Sequence, residues 1–318
     1  MSPPADLTDR EALTSRIVPS MTLSTGTPTS KTAPPTNPIA QDSTTGARQR
    51  FAVTGNAVVT GGAGTLGLRS CDALLEHGLK GLMILDVNPA ESETEIQAMR
   101  EKFPYATIAT MTVDVTDEGR VAEAMKEAVR VLGSIDHLLC FVGVVGCVDA
   151  LQMPVSQWRR ILDINTTGSF ICAQAAAKQM VEQGKTTEGP GGGGGGSNSN
   201  SSSITFIASI SAHRVNYPQP QAAYNVSKAA LLMLKSCLAA EWARYGIRTN
   251  TVSPGYMDTI LNEGDGIKEH RRIWAERNPF GRMGTPGELT GAVVLLVSEA
   301  GGYTNGADIV VDGGGIVF

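Results

Sequence analysis

Tyr224 and Lys228 stand four residues apart in the segment Tyr224-Asn225-Val226-Ser227-Lys228. Residues at that spacing share one face of a helix, so a phenol and an ammonium are presented side by side. A tyrosine hydroxyl ordinarily titrates near 10, and a neighbouring positive charge favours its ionised form. Such a phenol can act as a general acid or base on an oxygen at neutral pH. Of the six tyrosines, only Tyr224 has a lysine four residues on. Taken alone, a Tyr/Lys pair is more often a surface pair than a site, so its neighbours decide. Thirteen residues upstream, Ser211 follows the apolar run Phe206-Ile207-Ala208, and its hydroxyl is placed to hold a substrate oxygen. Asn165, amid Ile161, Leu162, Ile164 and Phe170, either serves as a satisfied core amide or holds a water that relays protons from Lys228.

A second constellation lies nearer the N-terminus. The β-branched run Ala57–Thr60 leads into Gly61-Gly62-Ala63-Gly64-Thr65-Leu66-Gly67 and then a segment with helical spacing. Glycines let a backbone approach a pyrophosphate, whose charge is met by the helix N-terminus. A glycine-rich turn alone is weak evidence. Here a strand precedes it, a helix follows, and Asp86 ends the next apolar run 19 residues past Gly67. A carboxylate there suits the adenosine ribose hydroxyls of a dinucleotide and repels a 2′-phosphate. NAD is therefore the expected cofactor, with NADP the alternative; a bland capping role for Asp86 is the competing reading.

Both constellations need a scaffold. Short apolar runs at Ala57–Thr60, Leu82–Asp86, Thr110–Val113, Leu138–Val142, Ile204–Ala208, Arg248–Val252 and Asp308–Val311 alternate with helix-like segments such as Val121–Leu132 and Trp158–Gln183. That alternation predicts an α/β fold: a single doubly wound parallel sheet, Rossmann-like, with helices on both faces. Ligands bind such sheets beyond the carboxyl ends of the strands. Residues 1–50 are rich in Ser, Thr and Pro and read as a disordered tail. Residues 51–318 form the catalytic domain. Within it, residues 184–203 (GKTTEGPGGGGGGSNSNSSS) read as a flexible insertion in a surface connection.

The order TGGAGTLG, LD, VDV, INTTG, SIS, YNVSK, SPGYMDT and VDGG resembles the short-chain dehydrogenase/reductase family from Phe51 to Phe318. The resemblance implies an NAD(P)-dependent oxidoreductase acting on CH–OH groups, with Tyr224 as acid/base. Lys228 would bind the nicotinamide ribose and tune Tyr224, Ser211 would orient the substrate, and Asn165 would complete the proton relay. It further implies that Asp114 and Val115 flank the adenine, and that Gly143, Pro254, Gly255 and Thr259 lie toward the nicotinamide. A homodimer or homotetramer built on the helices carrying Asn165 and Tyr224 is also implied. Three features depart from the family pattern: Thr65 stands at the second glycine position, Cys140-Phe141-Val142-Gly143 replaces Asn-Asn-Ala-Gly, and the insertion stretches the spacing from Asn165 to the serine.

The run from Ala240 to Asn250, followed by SPGYMDT, is similar to fungal polyol and ketose reductases of this family, acting on arabinitol, xylulose, sorbose or mannitol. A polyol/ketose pair is thus the expected substrate, with residues 256–283 as a cover and Ala212–Tyr217 as polar lining, unless His213 and Arg214 are solvated or interface residues. The rival readings are reduction of 3-oxoacyl thioesters or secondary-metabolite ketones, and a non-catalytic NAD(H) sensor. Net charge of −5 argues against nucleic acid, no apolar run suits a membrane span, and five dispersed cysteines without a CxxC pair suit a reducing, cytoplasmic setting and no metal site.

Overall fold

In a computed structural model of the chain, residues 18–27, 29–33, 45–186, 202–259, 262 and 264–317 are described. Seven parallel strands form one sheet: β1 (Asn56–Thr60), β2 (Gly81–Asp86), β3 (Thr107–Thr112), β4 (His137–Cys140), β5 (Ser202–Ile207), β6 (Ile247–Pro254) and β7 (Asp308–Val311), in the order 3-2-1-4-5-6-7. The chain reverses direction across the sheet between β1 and β4, which creates the crevice where such folds bind ligands. The register brings Thr60 beside Leu85 on one side and Cys140 on the other, so the glycine-rich turn after β1 sits at the centre of that crevice.

Strand alternation divides the core into two layers. Val59, Leu82 and Ile84 pack to one face with Leu74, Ile96, Leu289 and Val293; Val58, Met83 and Leu85 pack to the other with Met125, Leu138, Phe206 and Leu231. The helices, in chain order, are α1 (Thr45–Arg50), α2 (Thr65–Glu76), α3 (Glu93–Lys102), α4 (Glu118–Leu132), α5 (Val155–Leu162), α6 (Gly168–Thr186), α7 (Ala222–Trp242), α8 (Lys268–Glu276) and α9 (Thr290–Val297). Local chemistry sets their ends. The Asp117 carboxylate accepts the Arg120 N–H at 3.0 Å to start α4, and Gly133, at φ +91°, stops it.

The fold agrees with the expected single α/β sheet. Two boundaries move. The end of the expected tail is helical, since Thr45–Arg50 form α1; residues 18–27 and 29–33 carry neither helix nor strand, and the rest of that tail lies outside the described residues. The expected insertion is shorter at both ends, because α6 runs to Thr186 and β5 begins at Ser202; residues 187–201 lie outside the described residues. A helix keeps gaining backbone hydrogen bonds until its sequence forbids them, and Gly184 alone does not. Among the described residues no helix is long and apolar enough to cross a membrane.

Candidate active site

A cleft opens at the carboxyl edge of the sheet. Its lining includes Leu66 and Gly143 from the crevice, Ser209 and Ser211 after β5, Tyr224 and Lys228 from α7, Pro254 at the end of β6, and Gly255 and Thr259 beyond it. Parallel strands end together at this edge, so residues far apart in sequence meet without special loops.

Tyr224 lies in the first turn of α7 and Lys228 one turn on. The Lys228 ammonium sits 5.7 Å from the Tyr224 ring centroid and donates to the Ile207 carbonyl at 2.8 Å. It is 3 % exposed, and burial pulls its pKa down to about 8. Against the expectation that Lys228 depresses it, the Tyr224 pKa is lifted above its ordinary value, chiefly by desolvation in the cleft wall. The opposing influence on the phenol is a hydrogen bond with the hydroxyl of Ser209.

That influence brings in a second serine. Ser209 stands fifteen residues before Tyr224, its hydroxyl lies 3.0 Å from that of Ser211, and both serines line the cleft. The cause is the backbone. β5 ends at Ile207, and Ser209 caps a 3₁₀ turn over Ile210–Ala212 by accepting the Ser211 N–H at 3.1 Å. The turn is held to α7 by Asn225, whose Nδ2 donates to the Ser211 and Arg214 carbonyls at 2.8 and 2.9 Å. Sequence spacing singled out Ser211 alone, and Ser209 two residues earlier was passed over.

Asn165 joins a buried hydrogen-bond network. It is fully buried within a π-helical turn, Asp163–Thr167, that joins α5 to α6. Its Oδ1 accepts the Val144 N–H at 2.8 Å, while Nδ2 donates to the Val144 carbonyl at 2.9 Å and to Ser227 Oγ at 3.0 Å. The carboxamide thus has its hydrogen bonds to the chain and clamps the Gly143–Val144 backbone beside Lys228. A Cβ on Gly143 would come within 3.1 Å of Lys228 Nζ. Asn165→Ala is expected to lower stability by about 3 kcal/mol and Tm by about 8 °C, measured by calorimetry; an unchanged Tm would contradict the clamp.

The glycine-rich turn is close-packed as a dinucleotide cradle requires. Gly61 has φ +66°, and a Cβ there would lie 2.6 Å from the Val142 nitrogen; one on Gly67 would lie 2.4 Å from the Gly61 carbonyl. α2 starts at Thr65 with no side-chain cap, which leaves its first N–H groups to a ligand. Asp86 closes the turn: Oδ2 accepts the Ala63 N–H and Oδ1 the Asn88 N–H, each at 3.3 Å. The residues present fit the pyrophosphate and ribose of a nicotinamide dinucleotide. Thr65, at the departed glycine position, is exposed on the first helical turn and obstructs nothing. Asp114 accepts the Thr116 N–H and hydroxyl at 2.9 and 2.7 Å, bonds that hold its carboxyl below the usual range, and Val115 packs where a Cβ on Gly168 would come within 2.6 Å. In place of the family asparagines, Cys140 is buried with its thiol pushed up to about 12, and Phe141 lines the cleft.

The segment expected to cover the site contributes Tyr256, Met257, Thr259, Asn262, Ile267, His270 and Trp274 to the cleft wall. Within the expected polar lining, Asn216 faces the cleft but His213 does not. Its Nε2 pairs with Asp308 at 2.9 Å, in a network with Ser253 and Thr251 that joins β6 to β7.

A family model for short chain dehydrogenases matches residues 55–269. The chain is 31% identical over 260 residues to an NADP-dependent mannitol dehydrogenase of Hypocrea jecorina, covering 81% of this chain and 90% of that protein. It is 33% identical over 262 residues to a sorbose reductase of Candida albicans, covering 81% and 85%. Among solved structures, a gluconate 5-dehydrogenase from Burkholderia cenocepacia, in complex with NADP and tartrate, superposes with a TM-score of 0.74 at 28% identity, covering 86% and 99%. With a Tyr/Lys pair beneath a glycine-rich cradle at the edge of a seven-stranded sheet, the chain belongs to the short-chain dehydrogenase/reductase family.

Proposed function

We propose that this oxidoreductase interconverts a polyol and its ketose with NAD(H). The observation that carries the reading is the meeting of the Tyr224 phenol, the Ser209 hydroxyl and the Lys228 ammonium in one cleft. A bound nicotinamide supplies or takes the hydride at the carbinol carbon. Ser209 holds the substrate oxygen, and Tyr224 gives that oxygen a proton in reduction and removes it in oxidation. Lys228 keeps a positive charge near the phenol, and Asn165 positions the backbone against which Lys228 rests. Gly61, Thr65, Leu66 and Gly67 hold the pyrophosphate, Asp114 and Val115 border the adenine, and Gly143, Pro254, Gly255 and Thr259 border the nicotinamide. The relatives named for mannitol and sorbose support the substrate class, as do the amides, Asn216, Gln219 and Gln221, in a cleft otherwise largely apolar. A spectrophotometric screen with NADH and NADPH against D-fructose, L-sorbose, xylulose, ribulose and an acetoacetyl thioester tests the reading. Turnover of the thioester alone would replace it.

NAD(H) is favoured by Asp86 over the turn and by the stretch Asp86–Glu95, which holds Glu91, Glu93 and Glu95 and no cation. The mannitol dehydrogenases named NADP-dependent make the contrast testable. Asp86→Ser is expected to lower the NADH-to-NADPH ratio of kcat/KM about 30-fold, the equivalent of about 2 kcal/mol of charge repulsion. A ratio that stays put would remove Asp86 from the discrimination.

The protein works as a dimer or tetramer in a reducing compartment. Phe170 on α6 and Val226 and Met233 on α7 are exposed apolar residues on the two helices beside the site, and the buried thiols of Cys71, Cys140 and Cys172 are free. Light scattering is expected to give at least twice the mass of the chain; a monomer mass refutes the assembly.

A further inference from the structure

The segments after β5 and β6 meet in one wall of the cleft through a chain of amide and aromatic side chains. Trp274 Nε1 donates to Gln219 Oε1 at 3.2 Å. An indole N–H can only donate, so the Gln219 oxygen faces Trp274 and its Nε2 is left for the Tyr256 hydroxyl, 3.0 Å away. Asn216 Nδ2 donates to the same hydroxyl at 2.8 Å. The Tyr256 ring lies on Trp274 with centroids 4.1 Å apart and planes 5° from parallel, so the phenol cannot swing away without losing that stack.

Two consequences follow from valence. A phenol oxygen accepts through its lone pairs and donates once. With two amide N–H groups already directed at it, the Tyr256 proton is the one hydrogen-bonding capacity it has left. In the same wall, Asn216 Oδ1 and His270 Nδ1 are buried with no hydrogen-bond partner among the described residues. Buried polar atoms without partners are uncommon. One free donor, one free acceptor and an imidazole nitrogen able to serve as either, in a cleft shared with Tyr224, suit a ligand carrying several hydroxyls.

We infer that Tyr256, Asn216 and His270 are the residues that select a polyhydroxylated substrate. Tyr256 donates to a hydroxyl on a carbon beside the reacting carbonyl, while Asn216 Oδ1 accepts a hydroxyl proton and His270 Nδ1 hydrogen-bonds a hydroxyl farther along the chain. Tyr256 lines the same cleft as Tyr224, Ser209 and Lys228, which places it toward the reacting end. Gln219 is a positioning residue that holds the Tyr256 hydroxyl, and Trp274 holds Gln219. The inference rests on the polyol reading above and adds the groups that enforce it.

Tyr256→Phe keeps the stack and removes only the donor. With NADH saturating, the ratio of kcat/KM for the best ketose of the screen to that for cyclohexanone is expected to fall about 20-fold, mostly through the ketose KM. Gln219→Met, which frees the Tyr256 hydroxyl to rotate, is expected to raise the ketose KM in the same direction and by less. A Tyr256→Phe ratio within twofold of wild type, in protein that still binds NADH by fluorescence quenching, overturns this inference alone. Wild-type protein that reduces cyclohexanone and no ketose overturns the polyol reading and this inference with it.

Discussion

Tyr224→Phe is expected to lower kcat about a thousandfold while the dissociation constant for NADH, read by fluorescence quenching, changes less than threefold. The substitution removes one oxygen from a ring held in the cleft wall and leaves the Lys228 bond to the Ile207 carbonyl untouched. The cradle at Gly61–Gly67 lies on other elements, so cofactor affinity survives. The pH profile follows from the same oxygen. Burial lifts the Tyr224 pKa above its ordinary value, so the phenol is protonated at neutral pH, as ketone reduction requires. Alcohol oxidation needs the ionised phenol and is expected to quicken as pH rises from neutrality toward that raised pKa. Retention of more than a tenth of wild-type kcat by Tyr224→Phe would mean that another group moves the proton.

Ser209→Ala is expected to cost about a hundredfold in kcat/KM, against less than fivefold for Ser211→Ala. The two hydroxyls are 3.0 Å apart, which makes the contrast a sharp one. Ser209 is paired with the Tyr224 phenol and so shares the space where a substrate oxygen must meet that proton. Ser211 contributes its backbone N–H to the cap of the turn and its carbonyl to Asn225, and alanine keeps both. Equal losses in the two variants would show that the serines act as one hydrogen-bonded unit; a larger loss at Ser211 would return the substrate contact to the residue favoured by spacing.

These two expectations mark where local pattern stops being informative. Strands β1, β2, β4 and β5 were legible as short apolar runs, because a strand buried on both faces favours apolar side chains, whereas β6 is buried with Arg248, Thr249, Asn250 and Thr251 in it and was legible only from its place in the alternation. Gly61, Gly67 and Asp86 were legible as a cradle because strand, turn and helix follow one another within a single βα unit. The Tyr224/Lys228 pair was legible because four residues make one helical turn. Each of these inferences spans one or two neighbouring elements.

The choice between Ser209 and Ser211 was not legible. It depends on where β5 ends and on how Asn225 of α7 pulls the following turn. Nor did spacing reveal that Gln219, Trp274 and Tyr256 join, since Gln219 follows β5 while Tyr256 and Trp274 follow β6. The order and spacing of residues by themselves determined that this chain builds a doubly wound sheet with a nucleotide cradle and a Tyr/Lys pair, because helical and strand periods are properties of short stretches. Tertiary structure decided which serine meets the phenol, that His213 turns to Asp308 and away from the cleft, and that Tyr224 is harder to ionise than its lysine neighbour suggests. The physical reason is common to all three: desolvation and hydrogen bonding between distant segments depend on what surrounds an atom, and sequence spacing records only what lies along the chain.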